Sequence, residues 1–275
     1  MRPESVARLE LRKLETRNPK PQPMVVFPPC KINLGLSILS KRMDGYHNLE
    51  TCFYPLPWLD VLEIITAQTF QFTSSGNEIA GHPDDNLCVK AYRLLRDDFD
   101  LDPVNIHLHK IIPSGAGLGG GSSDAAYTLR LLNEIFQLNL GHEKLMDYAA
   151  RLGSDCAFFI KDHAMLGTGR GEILQEIPLS LDDKFFVVVK PAVHVSTADA
   201  FANIVPKTSG LSIAEVVLHY PISTWKEFLK NDFEESVFKK YPAIKSLKEK
   251  LYSLGATYAT MSGSGSAVVG IFATE

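Results

Sequence analysis

Three observations predict an α+β fold. Strand-like and helix-like segments follow one another in mixed order, without regular βαβ repetition. A glycine run from Gly115 to Gly121 separates an alternating apolar strand from an Ala/Leu-rich helix. A late segment, Ile244 to Leu254, carries Ile244, Leu247, Leu251 and Leu254 at helical period, with Gly255 placed to cap it.

In chain order, the pattern is strand-like from Met24. Ile32, Leu34, Leu36 and Ile38 alternate with Asn33, Gly35 and Ser37 at period two. Asp44-Gly45 marks a turn. Apolar stretches from Leu49 to Leu56 and from Val61 to Thr66 follow, with Pro55 and Pro57 between them. Asp84-Asp85-Asn86 supplies a cap for a helix through Val89, Leu94 and Leu95. Val104, Ile106 and Leu108 alternate with Asn105, His107 and His109, which predicts an antiparallel strand with one wet face. Ser122, Ser123 and Asp124 open a helix reaching about Leu138, and a second helix spans about His142 to Leu152. The remainder alternates short strands (164–166, 185–189, 258–261 and 267–272) with helical segments.

Composition narrows the function classes. The chain has 275 residues, 45% hydrophobic and 22% charged, enough for a substantial core. A net charge of −4 leaves no electrostatic footprint for nonspecific binding to nucleic acid, and favours a small-molecule partner. The four cysteines, Cys30, Cys52, Cys88 and Cys156, form no C-x-x-C pair and read as reduced thiols of a cytoplasmic protein. Phe185 to Val189 is the longest pure apolar run, far short of the roughly 18 residues of a membrane span. Charges from Arg2 to Lys20 interrupt every apolar stretch of residues 1–23, and Pro19, Pro21 and Pro23 break any helix there. That segment reads as a flexible extension, with Met24 as a plausible start.

Pro113-Ser114-Gly115-Ala116-Gly117-Leu118-Gly119-Gly120-Gly121-Ser122-Ser123 is the most informative stretch. Five glycines in seven positions forgo side-chain burial and cost backbone entropy, so they serve unusual backbone angles and close approach by another molecule. The run leads directly into a helix start, where free N–H groups and the dipole favour an anion. Ser122 and Ser123 add hydroxyls suited to phosphate oxygens or Mg²⁺. The loop is not a Rossmann turn, because two helices follow it instead of a second strand ending in an acid. Gly121 stands where a Walker A loop needs lysine, and neither H-R-D nor D-F-G occurs downstream.

Other residues read two ways by themselves. Lys31, in an apolar strand, is either an edge lysine reaching for water or a charge with a buried partner. Asp155 fits a turn as well as a catalytic carboxylate. Tyr46 and His47 suit a hairpin flank, or an aromatic face and imidazole that read a base. His107 and His109 share a strand face with no further metal-ligand type beside them, and read as solvated.

The glycine stretch resembles the second motif, P-x-G-x-G-L-G-S-S, of the GHMP kinases (galactokinase, homoserine, mevalonate and phosphomevalonate kinases). Pro29-Cys30-Lys31-Ile32-Asn33-Leu34 resembles their first motif, and Met261-Ser262-Gly263-Ser264-Gly265-Ser266 their third. Residues 29–266 cover essentially the whole chain beyond the extension. The resemblance implies a ribosomal-protein-like N-terminal domain over 24–166, binding ATP and carrying catalysis. It implies a ferredoxin-like, substrate-binding C-terminal domain over 167–275.

Asp44-Gly45-Tyr46-His47 and Leu152-Gly153-Ser154-Asp155 are similar to one branch of these kinases. That branch phosphorylates the 2-hydroxyl of a cytidine diphosphate-linked methylerythritol in non-mevalonate isoprenoid precursor biosynthesis. The resemblance then implies Lys31 and Asp155 as catalytic residues and Pro113 to Ser123 as the ATP loop. It implies substrate contacts at Asn33, Tyr46, His47, Thr197, Phe201, Gly263 and Ser264, with Tyr46 and Phe201 as stacking rings. ATP and Mg²⁺ are the implied cofactors; the metal ligands are left unassigned, ATP and a loop serine being the available oxygens. Cys30 departs from the usual alanine, and the extension has no family counterpart. The alternatives are another GHMP-type small-molecule kinase or a non-catalytic nucleotide or RNA binder; oligomeric state is left open.

Overall fold

The computed structural model describes residues 23–201, 204–206 and 210–274. The expected N-terminal extension, apart from Pro23, lies outside the described residues.

Three sheets organise the chain. In the first, β1 (Met24–Val26), β4 (Val61–Thr66), β6 (Val104–Lys110) and β5 (Gln71–Gly76) lie in the order β1-β4-β6-β5. The strand expected over Val104 to Leu108 is β6. It runs antiparallel to β4 as expected, but parallel to β5, whose polar sequence gave no apolar alternation to read. Three helices cover this sheet: α1 (Leu87–Phe99), α2 (Gly120–Ile135) and α3 (His142–Leu152). Leu62, Ile64, Ile106 and Leu108 from the strands meet Leu95, Leu129, Leu132 and Tyr148 from the helices in one buried cluster. Each such aliphatic side chain contributes about 1.5–3 kcal/mol by leaving water.

Asn86 caps α1 as the sequence predicts, its side-chain oxygen accepting from the Cys88 N–H at 2.8 Å. The second helix of the expected pair, α3, starts and ends where expected. α2, however, begins at Gly120 instead of Ser122, so the last two glycines of the run are already helical.

The second sheet has the order β2-β3-β7-β8, from β2 (Pro29–Lys41), β3 (His47–Leu59), β7 (Met165–Thr168) and β8 (Ile173–Glu176). β3 runs on past Pro55 and Pro57. Its far edge pairs with β7 only over Thr51 to Phe53, which leaves the proline-bearing part without a ladder on that side. The boundary expected after residue 166 falls inside β7, which stays paired with β3. The third sheet, β10-β11-β9, is built from β9 (Phe185–Val189), β10 (Tyr258–Met261) and β11 (Val268–Phe272). Around it lie α4 (Thr197–Phe201), α5 (Ile213–His219), α6 (Ile222–Phe228), α7 (Phe233–Lys240) and α8 (Pro242–Ser253). α8 is the helix expected over 244–254, and Gly255 follows it at φ +97°.

β2 joins the parts. Ile32 and Leu34 pack with Ile213, Val216, Tyr258 and Val269 in a second core, while Leu36 and Ile38 enter a third with Phe233, Ile244 and Met261. The other face of β2 is covered as well near its start. Lys31 and Asn33 are buried there, because the glycine loop and the 262–266 turn close over them.

Candidate active site

The glycine loop is strung between two strands. The Lys31 N–H on β2 donates to the Leu118 carbonyl at 2.9 Å, and the Ala267 N–H beside β11 donates to the Ala116 carbonyl at 3.0 Å. Ala116 and Leu118 bury their side chains in the core, so they offer a ligand only backbone. Two of the glycines are forced by sterics. A Cβ on Gly117, at φ +79°, would lie 2.0 Å from the Ser262 carbonyl oxygen. One on Gly119, at φ +70°, would lie 2.9 Å from Lys31 Cγ. The close approach inferred from the sequence is therefore made first by the chain's own motifs. Gly121 has open space around its Cβ position.

Gly119 is the N-cap of α2 and offers no side-chain cap. The first N–H groups of this helix are thus free to receive an anion at its positive end. Ser122 is half-buried beside them, whereas the Ser123 hydroxyl is fully buried and lacks a hydrogen-bond partner among the described residues.

Beneath the helix start, Lys110 lies between Asp60 and Asp124, all three buried. Its ammonium donates to Asp124 Oδ2 at 2.7 Å, and Asp60 Oδ1 accepts the Ile112 N–H at 2.8 Å. Burial pushes the Asp124 carboxyl up to about 7, against the pull of Lys110. Asp124 Oδ1 has no hydrogen-bond partner among the described residues. Lys110 and Asp124 border a cavity of about 210 Å³ that also meets Ser114, Gly121, Phe72 and Leu87.

On the other side of the loop opens a cleft of about 320 Å³. Its floor is the Lys31 ammonium, which donates to Asn33 Oδ1 at 2.7 Å and pairs with Asp155 Oδ2 at 3.1 Å. Phe53 places its ring 5.1 Å from the ammonium. The sequence left Lys31 with two readings; the buried partner is the one the fold realises. Asn33 is held in turn: its Nδ2 donates to Thr51 Oγ1 at 2.9 Å, and Thr51 donates to the Gly35 carbonyl at 2.6 Å. Ser262 donates to the Gly117 carbonyl at 2.8 Å, tying the third motif to the second. Asn231 Nδ2 donates to the carbonyls of Met261 and Gly263, both at 2.8 Å.

The fold brings to this one cleft every residue expected to be catalytic or to contact substrate: Lys31, Asn33, Tyr46, His47, Asp155, Thr197, Phe201, Gly263 and Ser264. Their arrangement adds detail. His47 stacks on Phe201 at 5.1 Å and 24°, and Phe201 meets Phe233 edge-on at 4.7 Å. Tyr46 is more exposed, with the Arg170 guanidinium 5.0 Å over its ring. Thr51, Asn231 and Arg170 were not singled out from the sequence, because each acts through a fold partner distant in the chain. His107 and His109 bond to Thr73 and Ser75 on an exposed sheet face. Among the described residues, no three His, Cys, Asp or Glu come together as a metal site.

A helix start with free N–H groups, one glycine loop away from a buried lysine paired with a half-buried carboxylate, is the arrangement expected of a small-molecule kinase. The chain belongs to the GHMP kinase family. The family described as GHMP kinases N terminal domain matches residues 86–163, and GHMP kinases C terminal matches residues 221–275.

Relatives with specific names share nearly the full length. 4-Diphosphocytidyl-2-C-methyl-D-erythritol kinase of Cytophaga hutchinsonii is 54% identical over 253 residues, covering 92% of this chain and 93% of the relative. The protein of the same name from Bacteroides thetaiotaomicron is 56% identical over 256 residues, covering 92% of this chain and 93% of the relative. The crystal structure of a 4-(cytidine 5'-diphospho)-2C-methyl-D-erythritol kinase superposes with a TM-score of 0.77 at 31% identity, covering 90% of each chain.

Proposed function

We propose that this chain uses ATP to phosphorylate the 2-hydroxyl of 4-diphosphocytidyl-2-C-methyl-D-erythritol, a step of non-mevalonate isoprenoid precursor biosynthesis. The observation that carries the reading is the Lys31–Asp155 pair, 3.1 Å apart on the floor of a cleft one glycine loop away from the start of α2.

In this reading the α2 start and the loop backbone from Pro113 to Ser123 receive the nucleotide's phosphates, and the cavity beside Lys110 and Asp124 receives its nucleoside. Asp155 accepts the proton of the acceptor hydroxyl as its oxygen bonds to the γ-phosphorus. The bond from that phosphorus to the β–γ bridging oxygen breaks, and ADP departs with the electron pair. Lys31 stabilises the charge that develops between the two oxygens. Asn33 keeps the Lys31 ammonium aimed, and Gly263 and Ser264 close the cleft over the polyol. Tyr46, His47 and Phe201 take the cytosine.

Mg²⁺ supplies charge neutralisation on the phosphates, and with no acidic cluster among the described residues its ligands would be phosphate oxygens and the Ser122 hydroxyl. Residues up to β8 carry ATP and the chemistry, and the rest of the chain completes the acceptor side. We place the protein in the cytoplasm, in keeping with four cysteines that are all free thiols. No helix among the described residues is long and apolar enough to cross a membrane.

A coupled assay of ADP release tests the reading. Turnover with the cytidine diphosphate-linked substrate, and none with mevalonate, homoserine or galactose, is expected. ADP release driven by one of those three instead would overturn the substrate while leaving the family in place.

A further inference from the structure

The acceptor cleft holds one cation that the mechanism above leaves unused. Among the cleft-lining residues the lysine and arginine side chains are Lys31 and Arg170. Lys31 is 3% exposed and committed to Asn33 and Asp155 on the floor. Arg170 stands at the mouth with its side chain 41% exposed. Its guanidinium meets Glu172 Oε1 through Nε at a long 3.4 Å, and its charge also reaches Asp44.

The arginine is nevertheless held in place. It lies in the turn between β7 and β8, where Gly169 at φ +69° and Gly171 at φ +107° bend the chain. The Gly169 carbonyl accepts the Leu49 N–H at 2.7 Å, which pins this turn to β3 beside His47. The guanidinium then rests 5.0 Å over Tyr46. The tyrosine itself is 56% exposed, so its ring remains accessible to a ligand. A ligand whose base stacks at Tyr46 therefore has a fork of N–H donors in the same cleft, on a neighbouring turn, within reach of the groups its base carries.

A nucleoside diphosphate-linked acceptor brings two ionised phosphates into this cleft. Removing them from water without a counter-charge is costly, and a guanidinium matches phosphate oxygens two at a time. We propose that Arg170 binds the diphosphate of the acceptor and makes the site selective for diphosphate-linked over neutral polyols. The inference rests on the substrate reading above.

The test uses the whole protein and two probes, cytidine and CDP, titrated calorimetrically into wild type, Arg170→Gln and Arg170→Lys. In wild type, CDP binds more tightly than cytidine. Arg170→Gln weakens CDP on the order of 10- to 100-fold, the loss expected for charged hydrogen bonds, and leaves cytidine unchanged. Arg170→Lys recovers part of that loss, since it keeps the charge without the fork. With the true acceptor, KM rises in Arg170→Gln while KM for ATP stays put. Equal losses for cytidine and CDP would mean that Arg170 acts only by holding Tyr46, and the proposal fails. Unchanged CDP binding in Arg170→Gln also overturns it. If wild type binds neither probe, the cytidine reading itself is wrong and this inference falls with it. If wild type binds both probes equally, the base site stands and the diphosphate contact does not.

Discussion

The floor of the cleft and its mouth are built by different means. On the floor, Lys31, Asn33 and Thr51 are each 3% exposed or less, and backbone bonds from Lys31 to Leu118 and from Ala267 to Ala116 lash three distant segments together. At the mouth, Tyr46 is 56% exposed and Arg170 sits on a surface turn. Transfer of a phosphoryl group is mainly positioning and charge neutralisation, and a floor held by buried hydrogen bonds serves that. Recognition of the acceptor needs rings and donors that a ligand can reach, and turns at a rim serve that. Substitutions on the floor are accordingly expected to reduce turnover, and those at the mouth to change which acceptor is used.

The sharpest way to break this contrast is at the Lys31–Asp155 pair, proposed above to act on the reacting groups. Asp155→Asn keeps the shape and removes the proton acceptor, while Lys31→Met removes the charge. Each is expected to cut kcat by a factor on the order of 10² or more, with KM for ATP little changed. Near-normal turnover in either variant would remove that residue from the chemistry. Gly117→Ala attacks the floor through its backbone. The new methyl would sit 2.0 Å from the Ser262 carbonyl oxygen, on a residue held at φ +79°. The left-handed backbone alone costs about 1–3 kcal/mol in a non-glycine residue. A fall in Tm together with lost turnover is expected. A Tm equal to wild type would show that loop and third motif are not packed as described.

At the mouth the effects should be smaller and selective. His47→Ala removes an imidazole that stacks on Phe201. It is expected to lower kcat/KM for the cytidine-linked acceptor by roughly 1–3 kcal/mol, the cost of an unmet buried hydrogen bond. KM for ATP should hold steady. An equal loss on the ATP side would place His47 in the wrong half of the site.

The same contrast governs what could be read from the chain alone. The floor was legible because it is made of short contiguous motifs. The glycines at 117 and 119 leave a signature by themselves, whereas Lys31, Asn33 and Asp155 were singled out through the family motifs in which they stand. What holds them was not legible. Thr51 is an ordinary strand threonine until β3 pairs with β2 and sets it under Asn33. Asn231 reads as a loop asparagine until the third motif folds over its amide. Lys31 and Asn33 on β2 are buried because segments more than 80 residues away close over them, and no periodicity within the strand carries that information. β5 was missed for a related reason: its residues are mostly exposed, so its pairing with β6 rests on backbone bonds rather than an apolar pattern.

Thr51 gives the finest test of the comparison, since it touches no reacting atom. Its hydroxyl accepts from Asn33 and donates to the Gly35 carbonyl, fixing the amide whose oxygen receives the Lys31 ammonium. Thr51→Val is nearly the same shape and leaves two buried polar groups unpaired. Asn33 is then free to turn, and Lys31 loses part of its aim. A several-fold drop in kcat is expected, equivalent to about 1 kcal/mol. KM for ATP should scarcely move, because the cavity beside Lys110 and Asp124 is untouched. Thr51→Ser restores the hydroxyl at the cost of one methyl group, so its kcat should return close to wild type. Two outcomes would count against this chain of contacts. If Thr51→Ser is as slow as Thr51→Val, the methyl packing matters and the hydroxyl does not. If Thr51→Val turns over normally, Asn33 does not need its second partner, and the Lys31 ammonium is positioned by Asp155 alone.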